Sequence, residues 1–363
     1  MKFSVEKEIL LSGIQIIQTI ITTKTTLPIL SNALLECQKD NLRLTATDLD
    51  VGISCLIPVE TQEVGAITIP AKKFYDIIKE LPEGRINISV KRNNFVLITT
   101  NTCQFKLVGL TKEEFPKLPE FKDKEVLVIE QKILKSLLTL TEFAVSYDET
   151  RYILNGILFK INTNKLSLVA TDGKRLAIAE QEISEKIKDE ISVVVPIKAV
   201  RELSRNLNED GVVSIILSEN QIMFDLKNMV IISRLIEGEF PDYKHVIPPP
   251  QENKLIVDRE QFLLSIKRAS LLSIPDHQEV KLELTKNKLI ISKTTPDLGE
   301  SWEELECSYS GKEMIIGFDY NFLLDVLKNL KTEKIELELK DPESPGVIRI
   351  RGYIYIVLPI RLG

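Results

Sequence analysis

Few side chains in this sequence could carry covalent or acid–base chemistry. Its 363 residues include two histidines, His245 and His277, and four cysteines, at 37, 55, 103 and 307, none in C-x-x-C spacing. Zinc and thiol-redox sites need clustered Cys and His ligands. The cysteines therefore read as buried free thiols, the histidines lack a third ligand, and neither a metal nor a cofactor is expected. Asp48 and Asp172, each in a Thr-Asp dipeptide, could form a carboxylate pair for proton transfer. The sequence around them, however, repeats. NLRLTATDLDVGIS at 41–54 and KLSLVATDGKRLAIAE at 165–180 set Ala46-Thr47-Asp48 and Ala170-Thr171-Asp172 at the same place in the pattern, and 288–303 is a weaker third copy. Acids that recur at equivalent positions between alternating apolar runs are turn residues, and Asp172-Gly173 predicts a tight hairpin. A P-loop, G-x-S-x-G, H-E-x-x-H and a glycine-rich dinucleotide fingerprint are all missing. The sequence speaks against an enzyme.

The elements that must hold these turns follow one plan three times: strand, helix, strands, second helix, strands. Apolar periodicity predicts helices near 6–20, 71–81, 131–145, 197–206, 258–272 and 319–330, with alternating strands between them. The fold class is α+β, with three similar domains at 1–121, 122–250 and 251–363, each placing two helices against antiparallel sheets. Proline-rich linkers, EFPKLP at 114–119 and EFPDY at 239–243 followed by three prolines at 248–250, end the first two units. Three such units in a row leave a raw sheet edge at each end. Exposed edges invite pairing, and a homodimer closing head to tail would cover them.

Hydrophobic content of 44% with 28% charged residues is that of a globular protein. The N-terminus has no signal-peptide pattern and no stretch is apolar enough to span a membrane, so a cytoplasmic protein is expected. Net charge is -6, and the three domains carry 14 basic against 14 acidic residues, 17 against 20, and 16 against 19. None is basic as a whole, so contact with nucleic acid requires a segregated basic face. Lys198, Arg201 and Arg205 share one helix face by their spacing. Lys72, Lys73 and Lys79 dot the equivalent helix of the first domain, and Arg259, Lys267 and Arg268 follow less regularly in the third. Only 6% of residues are aromatic, which disfavours a single-strand binder built on stacking.

The chain resembles the bacterial DNA polymerase III beta subunit family, the replicative sliding clamps, over its whole length. The likeness rests on MKFSVEKE at the start, TLPIL at 26–30, Thr47-Asp48, IPAKKF at 69–74, Arg151-Tyr152 with LNG at 154–156, VATDG at 169–173 with RLA at 175–177, FPDY at 240–243 and LPIRL at 358–362. The resemblance implies three domains of similar fold, a ring-shaped homodimer around duplex DNA, and no chemistry or cofactor of its own. It also implies partners: the replicative polymerase alpha subunit, the clamp-loader delta subunit and other proteins docking through one pocket per subunit. Carried over by position, Lys24, Lys72, Asp148, Tyr152 and Ile153 fall where the family touches DNA. Lys24 and Lys72 stand where arginines are familiar, and Ile153 replaces a second aromatic. The basic helix of Lys198, Arg201 and Arg205 would line the hole.

The resemblance also implies a pocket built from three stretches. One is the hairpin: Leu154, Thr171, Gly173, Lys174, Arg175 and Leu176. Another is the second linker with the start of the third domain: Pro241, His245, Val246 and His277. The last runs from Asp319 and Phe322 to the chain's end, at Ile356, Leu358, Pro359, Ile360, Arg361 and Leu362. Pro359 cannot donate to a sheet ladder, so the apolar residues around it are expected to stay partly exposed as peptide anchors, with Arg175 or Arg361 meeting the peptide's polar groups. For the dimer, Phe105 and Leu107 match positions that pack on Leu271 and Leu272 of the partner subunit. The other function this pattern accommodates is a three-domain scaffold that binds peptides without encircling DNA.

Overall fold

The computed structural model describes residues 1–21, 27–119, 121, 126–183 and 190–362. Among these residues six α-helices lie at Lys7–Gln18 (α1), Ala71–Glu80 (α2), Gln131–Thr139 (α3), Ile197–Asn206 (α4), Arg259–Ala269 (α5) and Tyr320–Asn329 (α6). Each matches an expected helix, and α4 matches to the residue. The first, third and fifth are shorter than their apolar periodicity suggests. In α3 the cause is local: the Thr141 hydroxyl donates back to the Leu137 carbonyl at 2.8 Å, and a 3-10 turn at Glu142–Ala144 replaces the last helical turn. Asp258 and Asp319 lie just outside α5 and α6, as N-caps accepting from Gln261 N and Asn321 N.

The chain divides into two compact units that cut across the three sequence domains. The first, Met1–Lys132 with Lys198–Leu235, holds two antiparallel sheets. Five strands run in the order Glu60–Glu63, Lys2–Glu6, Arg85–Val90, Phe95–Thr99, Gln104–Val108. The eight-stranded sheet joins Val126–Glu130, Val212–Leu217, Gln221–Asp225 and Met229–Arg234 to Val51–Pro58, Asn41–Thr47, Asn32–Gln38 and Gly65–Pro70. Helices α1 and α2 pack on each other, and α1 covers the Asn41–Thr47 and Val51–Pro58 strands. Leu10, Ile14 and Ile17 of α1, at helical spacing, are fully buried there.

The second unit, Ile133–Ile197 with Ile236–Gly363, repeats the plan. Its nine-stranded sheet passes from Ile191–Pro196 through Gly156–Asn162, Lys165–Thr171 and Arg175–Glu182 to the last strand, Tyr353–Val357. Gly346–Ile350, Lys334–Glu338, Lys254–Asp258 and Ser308–Tyr309 complete it. A four-stranded sheet, Gly299–Glu306, Lys288–Thr295, Glu279–Thr285 and Met314–Asp319, makes the other layer.

The internal repeat holds at the level of register. In the first unit Val51 lies opposite Ser233 and Cys55 opposite Met229; in the second, Arg175 lies opposite Val357 and Ala179 opposite Tyr353. Each of the four residues is displaced by 124 positions: 51 to 175, 55 to 179, 229 to 353 and 233 to 357. Sheet register is pinned wherever a face is buried, since a slip of one residue turns every side chain over. The repeat has kept that constraint across strands distant in sequence.

Candidate functional site

Both Thr-Asp hairpins turn by the same hydrogen bonds. At the second, Gly173 N donates to Thr171 Oγ1 (3.1 Å), the Thr171 hydroxyl donates to Arg175 O (2.6 Å), and Lys174 N and Arg175 N both donate to Asp172 Oδ1 (2.9 and 3.0 Å). At the first, Leu49 N donates to Thr47 Oγ1, the Thr47 hydroxyl to Val51 O, and Asp50 N and Val51 N to Asp48 Oδ1. Gly173 has φ +87° and Leu49 φ +82°. That left-handed conformation is natural to glycine and strained for leucine. The two aspartates are turn residues: Oδ1 of each accepts two backbone N–H groups, and Oδ2 of each accepts from a cation.

The second hairpin holds a buried cation. Arg175 is 8% exposed; its Nε donates to Asp172 Oδ2 (2.9 Å), Nη1 to Asp325 Oδ2 (2.7 Å) and Nη2 to the Phe143 carbonyl. The guanidinium lies 4.4 Å from the centre of the Phe322 ring, a cation–π arrangement. Burial works against its charge, but Tyr355, Asp325 and Asp172 outweigh it and hold Arg175 above its usual range. The guanidinium expected to meet a peptide's polar groups is thus also tied into the fold. Three of its N–H groups are spent inside the fold, and it fixes the hairpin to α6. Sequence reasoning missed Asp325 and Phe143, because neither lies in the repeated pattern.

Around this anchor the structure collects most of the expected pocket. Leu176 pairs with both Thr171 and Ile356, and the two apolar side chains join a buried cluster with Leu158, Val169, Ile178, Val194 and Val347. Ile153, Ile236, Phe240, Tyr243, Ile247 and Ile354 pack against it half-buried. Leu154 is buried. The last strand stops at Val357, as Pro359 implies. Beyond it Leu358 N donates to Lys174 O (2.9 Å) and Ile360 N to Gly317 O (2.8 Å), pinning the tail beside the turn and the Met314–Asp319 strand. Leu358, Ile360 and Leu362 remain 43, 37 and 37% exposed. Gly317 is needed here: a Cβ would stand 2.7 Å from Leu362 Cδ2 and 2.8 Å from Ile360 O.

Asp319, capping α6, is buried, and burial raises its carboxyl above the usual range against the pull of Asn321, Arg175 and Lys174. Pro241, His245 and Val246 sit exposed on the stretch between Phe240 and Ile247. His245 pairs with Asp242 at 3.0 Å, and His277 lies 3.7 Å from Glu279, which also accepts from the buried Lys293. Among the described residues no group of three or more His, Cys, Asp or Glu could hold a metal.

The expected DNA face is less bare than its spacing suggests. Lys72, Lys73 and Lys79 are exposed on α2. On α4, Lys198 pairs with Asp48 and Arg205 with Glu202, while Arg201 is exposed. Tyr152 is 60% exposed, beside an exposed Arg151. The Ile153 side chain is half-buried, packed against the apolar cluster. Asp148 caps the 3-10 turn by accepting from Thr150 N (3.0 Å) and Thr150 Oγ1 (2.7 Å), which holds its carboxyl below the usual range. Lys24 lies outside the described residues.

The proposed dimer residues are not core. Phe105 is 41% and Leu271 77% exposed, and Leu107 and Leu272 are half-buried. Phe105 and Leu107 lie on Gln104–Val108, the end strand of the five-stranded sheet; the four-stranded sheet ends on Gly299–Glu306, which displays Trp302 at 64% exposure. Sequence reasoning overlooked Trp302, although a lone tryptophan on an alternating strand was a usable signal.

Three models of the DNA polymerase III beta subunit match the chain in order: the N-terminal domain at residues 1–119, the central domain at 128–242 and the C-terminal domain at 244–357. The beta sliding clamp of Escherichia coli (strain K12) is 35% identical, with all of this chain and all of that one covered. Among solved structures, the DNA polymerase sliding clamp of Bacillus subtilis superimposes with a TM-score of 0.95 at 31% identity, both chains fully covered. The sliding clamp of Pseudomonas aeruginosa bound to griselimycin does so with 0.94 at 34%, again over both full chains. With hairpin, linker and tail assembled as the motifs imply and every domain accounted for, the chain belongs to the DNA polymerase III beta subunit family of sliding clamps.

Proposed function

We propose that this protein is a DNA sliding clamp: two copies close head to tail into a ring around duplex DNA and catalyse nothing. The ring tethers the replicative polymerase and recruits replication and repair proteins, the polymerase alpha subunit and the clamp-loader delta subunit among them. It acts where DNA is replicated, in the cytoplasm; among the described residues no helix is long and apolar enough to cross a membrane. The observation that carries this reading is the match of three beta-subunit domains, in order, along the chain.

Two free sheet edges support the ring. The Gln104–Val108 edge carries Phe105, Lys106 and Val108, and the Gly299–Glu306 edge carries Trp302, Glu300 and Glu306, so apolar side chains and opposite charges are available on the two edges. Phe105 and Leu107 would meet Leu271 and Leu272 of the partner subunit. Lys72, Lys198, Arg201, Arg205 and Tyr152 would face the duplex, attracting phosphates without reading sequence. The groove of the second unit, with Leu358, Ile360 and Leu362 as exposed anchors, would take short partner peptides.

Sedimentation equilibrium tests the assembly. The protein should run at twice the 41.3 kDa of one chain, and Leu272→Asp should give monomers, because it buries an unpaired charge at the interface. A dimeric Leu272→Asp protein at micromolar concentration would overturn the interface.

A further inference from the structure

The 124-residue displacement assigns the groove of the second unit a counterpart in the first. Thr171, Gly173, Lys174, Leu176, Ile356 and Leu358 map onto Thr47, Leu49, Asp50, Gly52, Ile232 and Arg234. All six counterparts line one cavity of about 230 Å³, completed chiefly by the 116–119 linker. The repeat has therefore kept a concavity at this place while changing its chemistry.

Three changes define the new site. Leu176 becomes Gly52, and the linker's Leu118 takes the vacated space: its Cδ2 stands 2.5 Å from where a Cβ on Gly52 would lie. Leu358 becomes Arg234, an exposed cation, and a second exposed cation, Lys117, lines the same cavity. Neither side chain has a hydrogen-bond or ion-pair partner among the described residues. Lys174 becomes Asp50, so two cations and one carboxylate line the cavity together with Leu49, Leu118 and Ile232. Leu49, held at positive φ, is 44% exposed.

We propose that this cavity is a second docking site, taking a short peptide segment in which an apolar side chain stands next to a carboxylate. The apolar side chain would enter over Leu118, and the carboxylate would meet Arg234 and Lys117. At about 230 Å³ it is smaller than the roughly 300–1,000 Å³ of drug-sized sites, which suits one or two side chains. Guanidinium and ammonium donors at the mouth favour a carboxylate over a neutral amide. The repeat argument rests on the reading of the second unit's groove as a peptide site, and the experiment separates the two.

The test is methyl NMR of the full-length protein with a blocked tetrapeptide of two leucines and two aspartates, alongside the same peptide with asparagines. The methyls of Leu49, Leu118 and Ile232 should shift with the acidic peptide, at least tenfold more weakly with the neutral one, and at least tenfold more weakly in the Lys117→Gln, Arg234→Gln double variant. Both substitutions are at exposed side chains, and unchanged methyl dispersion elsewhere verifies folding. Unmoved first-unit methyls, or shifts that survive removal of either charge, would overturn the proposal. The Leu358, Ile360 and Leu362 methyls report the second-unit groove in the same spectra. A failure there with a response at Leu49 would count against that groove and leave this site standing.

Discussion

The two Thr-Asp hairpins share turn chemistry and register, and differ in the two residues that follow the turn. Val51-Gly52 in the first leaves a shallow, empty floor on which the linker's Leu118 settles. Arg175-Leu176 in the second supplies a buried guanidinium braced by Asp172, Asp325 and Phe143, and a leucine packed into the apolar cluster. The repeat thus fixes a scaffold, and a pair of side chains decides whether a linker leucine or the hairpin's own leucine fills the equivalent place. The acid of each turn shows the same divergence: Asp172 faces an arginine 8% exposed, whereas the Lys198 that pairs with Asp48 is 40% exposed.

Removing each acid should separate the two hairpins most strongly. Asp172→Ala strips a buried arginine of one of its carboxylates and should destabilise the second unit by about 3 kcal/mol. Asp48→Ala loses turn hydrogen bonds and a solvent-screened pair, and should cost about 1 kcal/mol. Thermal midpoints of the two variants measure the difference; equal shifts would break the comparison.

Next in size is the tail, which only the second hairpin has beside it. Ending the chain at Pro359 removes the Ile360 hydrogen bond to Gly317 and two exposed apolar anchors. Affinity of the second-unit groove for partner peptide should fall at least tenfold, about 1.4 kcal/mol, while the sedimenting mass stays dimeric. Undiminished affinity in a folded, dimeric truncation would remove the tail from the groove.

The smallest effect is electrostatic. Burial raises the Asp319 carboxyl in the folded state, so its contribution to stability is fully present below the ordinary carboxylate range, near about 3.9, and is lost as pH rises through the raised folded value. Asp319→Asn should flatten that part of the stability–pH curve. An unaltered slope would show that the carboxyl is better solvated than its position implies.

Much of the comparison was legible in the sequence. The alternation around Asp48 and Asp172 announced both hairpins, α4 was read to the residue, and Pro359 announced the end of the last strand. Where reading failed, the missing information was tertiary. The Glu60–Glu63 strand is polar and lacks alternation, and it forms by adding to the edge of Lys2–Glu6. Arg175 looked like a surface donor because its partners Asp325 and Phe143 are distant in sequence. Lys198 read as part of a free basic row because its acid, Asp48, is matched only in the fold, whereas Glu202, three residues before Arg205 on the same helix, was a signal the sequence offered. Gly52 carries no signal in the sequence for the Leu118 side chain that packs over it.

The claim beneath the comparison is that these scaffolds belong to a ring that holds DNA by topology. It is tested most directly by loading the protein onto nicked circular DNA and washing at high salt, before and after the circle is linearised. Phosphate contacts alone weaken steeply with salt, whereas a closed ring leaves a circle only by opening. Retention on the circle with loss from the linear form is the predicted result; equal loss from both would contradict it.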